Sequence, residues 1–315
     1  MGVQFRVSTR SLSERCSEAC RKSEEKLSAT VGRSSAWLLV EVPGHWPGEG
    51  LPEQMPGEVA QFLQDAKGRG VRLQLIQKAE AAGERQRPAH RIYVAWSKGD
   101  APDIWMETRD VDTLDALLEL DVEALIDGRR PGFGSPSSEG VLLVCTHGSH
   151  DRCCGKLGYP IVRGIAKESG FASRVWRTTH VGGDRFAPNL VCLPYGTYHG
   201  QVPLEDATLV AEYSLKGRVM LPYYRGRAGY SYAAQRADAW ARKCRGGGDD
   251  VFGVSYLGEQ SLSDDMTMVH LAVGGMELQV PVRAHQLSKR PMSCGGPIGQ
   301  PTAYEVEVED CRQGP

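Results

Sequence analysis

A chain of 315 residues that is 41% hydrophobic, with 37 Lys and Arg against 39 Asp and Glu, holds enough apolar material for two or three folded units and carries a formal charge of only −2. That balance gives no one-signed field to gather nucleic acid or an anionic membrane, and no apolar run nears the roughly eighteen residues of a membrane span, so neither partner is expected. Met1 to Arg10 lacks the apolar centre of a secretory signal, which makes the cytoplasm the expected compartment.

In chain order, SAWLLVEVPGHW (35–46) predicts a buried strand entering a Pro/Gly turn, and EVAQFLQDAKGRG (58–70) an amphipathic helix stopped by glycine. VRLQLIQK (71–78) and HRIYVAWS (90–97) follow as strands, and DTLDALLELDVEALIDG (112–128) reads as one helix ended by Gly128. These elements compose a small α/β domain over 1–136, itself a candidate degenerate thioredoxin-like fold. The Pro-, Gly- and Ser-rich RRPGFGSPSSEG (129–140) is a connecting segment, with a boundary placed near residue 137.

VLLVCTH (141–147) predicts a short, wholly apolar strand, PIVRGIAKESG (160–170) a helix with proline at its start, and SRVWRTTH (173–180) and NLVCLPYG (189–196) two further strands. Strand, loop, helix and strand make a parallel crossover, and such sheets present functional groups at the carboxyl ends of their strands. Cys145 and His180 both fall at such ends, and on neighbouring strands they converge on one point. The second unit is assigned to 137–215 and an α+β extension to 216–315, where YAAQRADAWARKCRGGG (232–248) predicts a helix. VFGVSYLG, TMVHLAVGG and MELQVPVRAH predict an antiparallel meander whose last two strands join at Gly274-Gly275. No fixed-period repeat is visible.

CTHGSHDRCCG (145–155) concentrates three thiols and two imidazoles in eleven residues. Nine cysteines, odd in number and unevenly spaced, argue against a disulfide framework in a reducing compartment and for metal or redox chemistry. Cys145 and Cys154, with Cys153 beside the latter, precede His180 and Asp184, which bracket Val-Gly-Gly. Two loops offering two groups each supply the four ligands that an ion or iron–sulfur cluster needs. Gly182 and Gly183 permit the tight backbone that turns both ends of HVGGD inward.

CTHGSHDRCCG, HVGGDRFAPN (180–189) and LPYGTYHGQV (193–202), with WLLVEVPGHWP, DALLELDVEAL and PGFGSP upstream, resemble the sucrase/ferredoxin-like family across most of residues 30–245. The resemblance implies a thioredoxin-like [2Fe-2S] ferredoxin domain that carries single electrons to or from a redox partner protein or a small-molecule donor or acceptor. In fungal members the ligands are two cysteines separated by eight residues and two histidines in His-x-x-x-His. Cys145, Cys154 and His180 match this pattern, whereas Asp184 stands where the second histidine would be. The fourth ligand is therefore Asp184 or Cys153. Imidazole ligation raises the potential of such a cluster and couples it to pH.

Two other readings compete with the ferredoxin: a metal-free thiol-disulfide oxidoreductase using Cys153 and Cys154, and a zinc-stabilised binding protein. The first lacks the C-x-x-C spacing of such enzymes. His147 and His150 read as solvated or supporting groups, and Arg152 and Arg185 as charges facing the cluster or water. Cys16, Cys20, Cys192, Cys244, Cys294 and Cys311 read as structural or incidental. The adjacent pairs Asp249-Asp250 and Asp264-Asp265 read as loop charges rather than glycosidase carboxylates, and the short glycine motifs at 68–70 and 225–229 lack the context of a dinucleotide site.

Overall fold

The hexapeptide Ala36–Glu41 is buried along its whole length, as a strand covered on both faces requires. The structure, a computed structural model, describes residues 15–23, 25–79, 90–168 and 170–308. After a first helix, Cys16–Lys22 (α1), come Ala36–Glu41 (β1), Gly57–Gly68 (α2), Arg72–Lys78 (β2), His90–Trp96 (β3), Trp105–Val111 (β4), Val122–Ile126 (α3) and Ser135–Pro136 (β5). Then follow Val141–Cys145 (β6), Arg152–Ala166 (α4), Val175–Thr178 (β7), Asn189–Leu193 (β8), Thr197–Gly200 (β9), Ala207–Leu215 (α5) and Tyr224–Arg227 (β10).

All ten strands form one mixed sheet in the order β10-β9-β8-β6-β7-β2-β1-β3-β4-β5. Numbered from its own first strand, each half has the order two-one-three-four-five. Its first two strands are parallel across a helix (β1 with β2, β6 with β7), and the third and fourth are antiparallel (β3 and β4, β8 and β9). The two halves thus share one strand order and one set of strand directions, as a thioredoxin-like reading of each expects. They join edge to edge where β2 pairs antiparallel with β7, Ile76 opposite Thr178. The repeat escapes a reading of the residues because only the strand order and the apolar character recur. The sheet passes residue 137 without a break and takes its tenth strand from beyond residue 216.

Helices cover one face of each half. Leu38 and Val40 meet Val59 and Leu63 of α2, while Leu142 and Val144 meet Ile161 and Ile165 of α4 and Val210 of α5. The alternate residues Trp37 and Leu39 share a cluster on the other face with Leu143, Val191 and Tyr198, so the backs of the two units pack on one another. Trp37 meets Tyr198 at 6.4 Å between ring centroids. Tyr232–Cys244 (α6) then carries a four-stranded sheet of Ser255–Ser261 (β11), Met266–Val273 (β12), Met276–Gln286 (β13) and Thr302–Val306 (β16), with the short pair Arg290–Pro291 (β14) and Ile298–Gly299 (β15) beside it. Gly274 and Gly275 make the turn with φ of 56° and 82°, the left-handed values such a hairpin demands. Among the described residues no helix is long and apolar enough to cross a membrane.

Three predicted elements differ. The helix expected over 112–128 is a 3-10 turn at Leu114–Glu119 followed by α3, because Leu120 is extended and the Asp121 carboxylate accepts from Ala124 N at 2.9 Å, starting a new helix there. The helix expected at 160–170 begins at Arg152 and passes through Pro160, whose missing N–H its long apolar face tolerates. The strand expected to end at His180 stops at Thr178, leaving the histidine on the following loop. Strands β4, β5, β9, β10, β14, β15 and β16 and helices α1 and α5 are additions.

His199 on β9 is wholly buried and both its ring nitrogens are satisfied in the neutral form: Nε2 accepts from Met220 N at 3.1 Å and Nδ1 faces Ser214 Oγ at 3.4 Å. Burial holds its pKa down to about 3, from an ordinary 6.5. The unfolded chain takes up a proton below about pH 6.5 that the folded chain refuses, so stability from this group is complete above that pH and declines as the pH falls toward 3. The slope is about 1.4 kcal/mol per pH unit. Denaturant unfolding at pH 7 and pH 5 should show that loss, and His199→Gln should flatten it.

Candidate metal centre

Two neighbouring cysteines leave a helix in different directions, since consecutive residues are about 100° apart around its axis. The Asp151 side chain caps α4 by accepting from Cys153 N at 2.7 Å. From that first turn Cys154 faces Cys145 at the end of β6, and Cys153 faces away, toward α1. The helix lies close on the strand because Gly158 has no side chain: a Cβ there would sit 2.0 Å from the Cys145 carbonyl oxygen.

β6 and β7 are parallel neighbours with Cys145 level with Thr178, so the loop after β7 brings His180 to the same end. Gly182 and Gly183 take φ of 92° and 78°, folding Asp184 back beneath the imidazole. A buried guanidinium holds this loop: Arg225 of β10 donates to Gly182 O at 3.1 Å and Asn189 Oδ1 at 2.8 Å, while Asn189 donates to Gly183 O at 2.9 Å. A Cβ on Gly183 would lie 2.4 Å from Arg225 Nη2.

The ligand atoms of Cys145, Cys154 and His180 lie within 4.8 Å of one another, with both thiols fully buried. Asp184 adjoins the group, its Oδ1 at 3.2 Å from Cys154 Sγ and 2.9 Å from His180 Nδ1, and it also lies within 4.8 Å of ligand atoms of His150 and Asp151. The approach to His180 misses the donor direction, so Nδ1 is buried without a hydrogen-bond partner. Cys145 is held well below the ordinary thiol range by the hydrogen bond from Cys154 and then by His180, and Cys154 is raised by the same bond. Burial alone would lower His180, but Asp184 and Cys145 together raise it to about 9. Asp184 is lowered by His180 against the opposing effect of its burial. The site thus concentrates negative charge on the Cys145 sulfur and the Asp184 carboxylate, with the Cys154 thiol kept protonated and one cationic imidazole among them.

Cys153 stands apart from this group. Its Sγ lies 3.6 Å from Cys16 Sγ and 3.3 Å from Cys294 Sγ, within 4.8 Å of an Asp151 oxygen as well. Cys16 and Cys294, expected to be incidental, therefore belong to a second cluster. Their contacts span 135 residues and more along the chain, which sequence spacing does not reveal. Cys192 is a buried core thiol bonded to Ser214 O, Cys20 is a buried thiol near Glu25, and Cys244 is disulfide-bonded, an exception to the expected absence of disulfides. Cys311 lies outside the described residues. Arg152 is exposed, and Arg185 pairs with Glu25 at 2.8 Å.

His147 and His150 do support the site. His147 accepts from His180 N at 3.2 Å through Nδ1 and reaches Pro47 O at 2.7 Å through Nε2, which fixes its tautomer and orients the loop. His150 stacks on His180 with 4.0 Å between ring centroids. Both rings open onto a cleft of about 640 Å³ that Lys67, Arg72 and Gln74 also line.

The profile of the sucrase/ferredoxin-like family matches residues 27–226. The "Altered inheritance of mitochondria protein 32" of Meyerozyma guilliermondii is 32% identical over 95 residues, covering 27% of this chain and 34% of that protein, so the match spans about a third of the curated relative. No solved structure matches.

Proposed function

The chain belongs to the sucrase/ferredoxin-like family, and on that premise we propose that it carries single electrons through a [2Fe-2S] cluster held by Cys145, Cys154, His180 and Asp184. The observation that carries this reading is the meeting of two buried thiols with an imidazole, all three ligand atoms within 4.8 Å of one another, and the Asp184 carboxylate beside them. The donor set fits the group: thiolates on one side, an imidazole and a hard carboxylate on the other, with Asp184 in the place of a second histidine.

When bound, such a cluster supplies reversible one-electron transfer. The chain's own residues do the rest. Leu143, Trp176 and Val191 form an apolar floor that excludes water. His180, stacked on the exposed His150, offers the short route from the buried thiols to the cleft. Lys67 and Arg72 there favour an anionic small-molecule donor or acceptor, or an acidic patch on a redox partner.

A thiol-disulfide exchange enzyme is disfavoured, because Cys153 and Cys154 face different clusters and are both fully buried, closed to an incoming disulfide. A single zinc ion is favoured by one observation, the 4.8 Å spread of the three ligand atoms, which suits one ion directly. Anaerobic purification from iron-replete cells decides: about two irons and two sulfides per chain and a paramagnetic signal on reduction support the carrier, and a colourless zinc protein overturns it. Asp184→His should keep the cluster and raise its potential by on the order of 100 mV, since a neutral imidazole replaces a carboxylate charge. Spectroelectrochemical titration reads that shift.

A further inference from the structure

Three thiols of separate chain segments converge on the capped end of α4, beside the site described above, with Asp151 between the two groups and within 4.8 Å of Cys154 and Asp184. Cys16 comes from α1, Cys153 from the first turn of α4 and Cys294 from the loop between β14 and β15. Their sulfur atoms are 3.3, 3.5 and 3.6 Å apart. The Asp151 oxygens lie 3.8 and 3.9 Å from Cys16 Sγ. We propose that Cys16, Cys153, Cys294 and Asp151 form a second metal site, which takes a zinc ion and ties the amino- and carboxyl-terminal segments to the electron-transfer core.

The distances select the ligand. A tetrahedral zinc ion with bonds of about 2.3 Å to sulfur and about 2.1 Å to oxygen puts sulfurs about 3.8 Å apart and sulfur and oxygen about 3.6 Å apart. The observed separations need a few tenths of an ångström of adjustment. A disulfide needs about 2.05 Å, well short of every pair here, and three mutually adjacent thiols would leave one over in any pairing. Each Asp151 oxygen accepts a backbone N–H, from Cys153 and from Cys294, and keeps a second lone pair for the ion. The carboxylate thereby caps the helix and fixes the loop of Cys294 at once. The Ser17 hydroxyl donates to Cys153 Sγ at 3.2 Å, a hydrogen bond that suits a metal-bound thiolate. On binding, the thiol protons pass to solvent.

The three segments are also held without the ion. Glu25, almost fully buried, pairs with Arg185 beside Asp184 at 2.8 Å and with Arg290 of β14 at 3.4 Å. The site is preorganised, and losing one thiol should leave the fold standing. Among the three, Cys294 is the partly exposed one and the safest to change.

Full-length protein, its Cys294→Ser and Cys16→Ser variants, and Cys145→Ser would be produced with ample iron and zinc and analysed for both metals. The expected result is about one zinc per chain beyond whatever fills the first site, reduced at least tenfold by Cys294→Ser with the first site's metal and colour unchanged. Cys145→Ser should do the reverse. Zinc-free protein reconstituted with cobalt(II) should show thiolate-to-cobalt charge-transfer absorption that Cys294→Ser abolishes. Wild-type protein without this zinc, Cys294→Ser that retains it, or a disulfide among the three cysteines in freshly purified protein would each overturn the proposal. Loss of iron from wild type with the Cys294-dependent zinc intact would sink the electron carrier alone.

Discussion

On the proposed electron-carrier reading, Cys145→Ser should yield a protein that folds, is colourless and holds less than a tenth of the wild-type iron. The serine hydroxyl ionises far above neutral pH and is too hard a donor to replace a thiolate, so one exchange of sulfur for oxygen removes a ligand with almost no change of volume. Cys154→Ser gives the same outcome. Both positions are fully buried, so the substitution also strands a hydroxyl, at about 1–3 kcal/mol. Stability loss must therefore be separated from metal loss. Cys192→Ser supplies the control, because that thiol is equally buried and already hydrogen-bonded to Ser214 O at 3.2 Å, yet touches neither metal group. Its hydroxyl keeps that acceptor, so it should lower the melting temperature by no more than the site variants do, and leave iron and visible absorption untouched. Iron retained in Cys145→Ser would place the cluster elsewhere and remove the basis for the electron-carrier reading.

The parts of this site readable in the sequence are those fixed by local rules. VLLVC is apolar throughout and sits buried in the sheet between β7 and β8, and the cysteine at its end emerges where the parallel crossover leaves it. Paired glycines in HVGGD announce positive φ, and both have it. The proline of PIVRGIAKESG misled for a physical reason: proline at a helix start is common, but here Asp151 caps the helix two turns earlier, and that cap is what sends Cys153 and Cys154 to different centres. The second cluster was invisible because Cys16 and Cys294 reach Cys153 only through tertiary packing, and sequence spacing carries no information about such meetings. The pairing of β2 with β7 was invisible for the same reason: either strand reads as apolar whatever edge it joins.

Arg225 is the residue that sequence reading passed over and the loop depends on. It is 1% exposed, with no carboxylate paired to it among the described residues, and burial lowers its pKa to about 10. A guanidinium buried on these terms is retained for its donors. Its Nε and Nη atoms serve Thr30 Oγ1, Thr30 O, Gly182 O and Asn189 Oδ1, and so hold the turn between His180 and Asp184 against β10 and the segment before β1. Arg225→Met fills much of the same space and removes every donor. The four acceptors then lose that partner, at up to about 1–3 kcal/mol each, offset in part by no longer desolvating a cation; a net loss of roughly 3 kcal/mol is expected. Arg225→Lys should recover the charge and little of the stability, because a single ammonium cannot span acceptors set in the plane of a fork. In both variants the freed HVGGD turn no longer holds His180 over the two thiols, so metal content should fall at least tenfold at temperatures where circular dichroism shows the fold intact. Metal content that merely tracks the folded fraction would mean that Arg225 stabilises the sheet and leaves the loop to position itself.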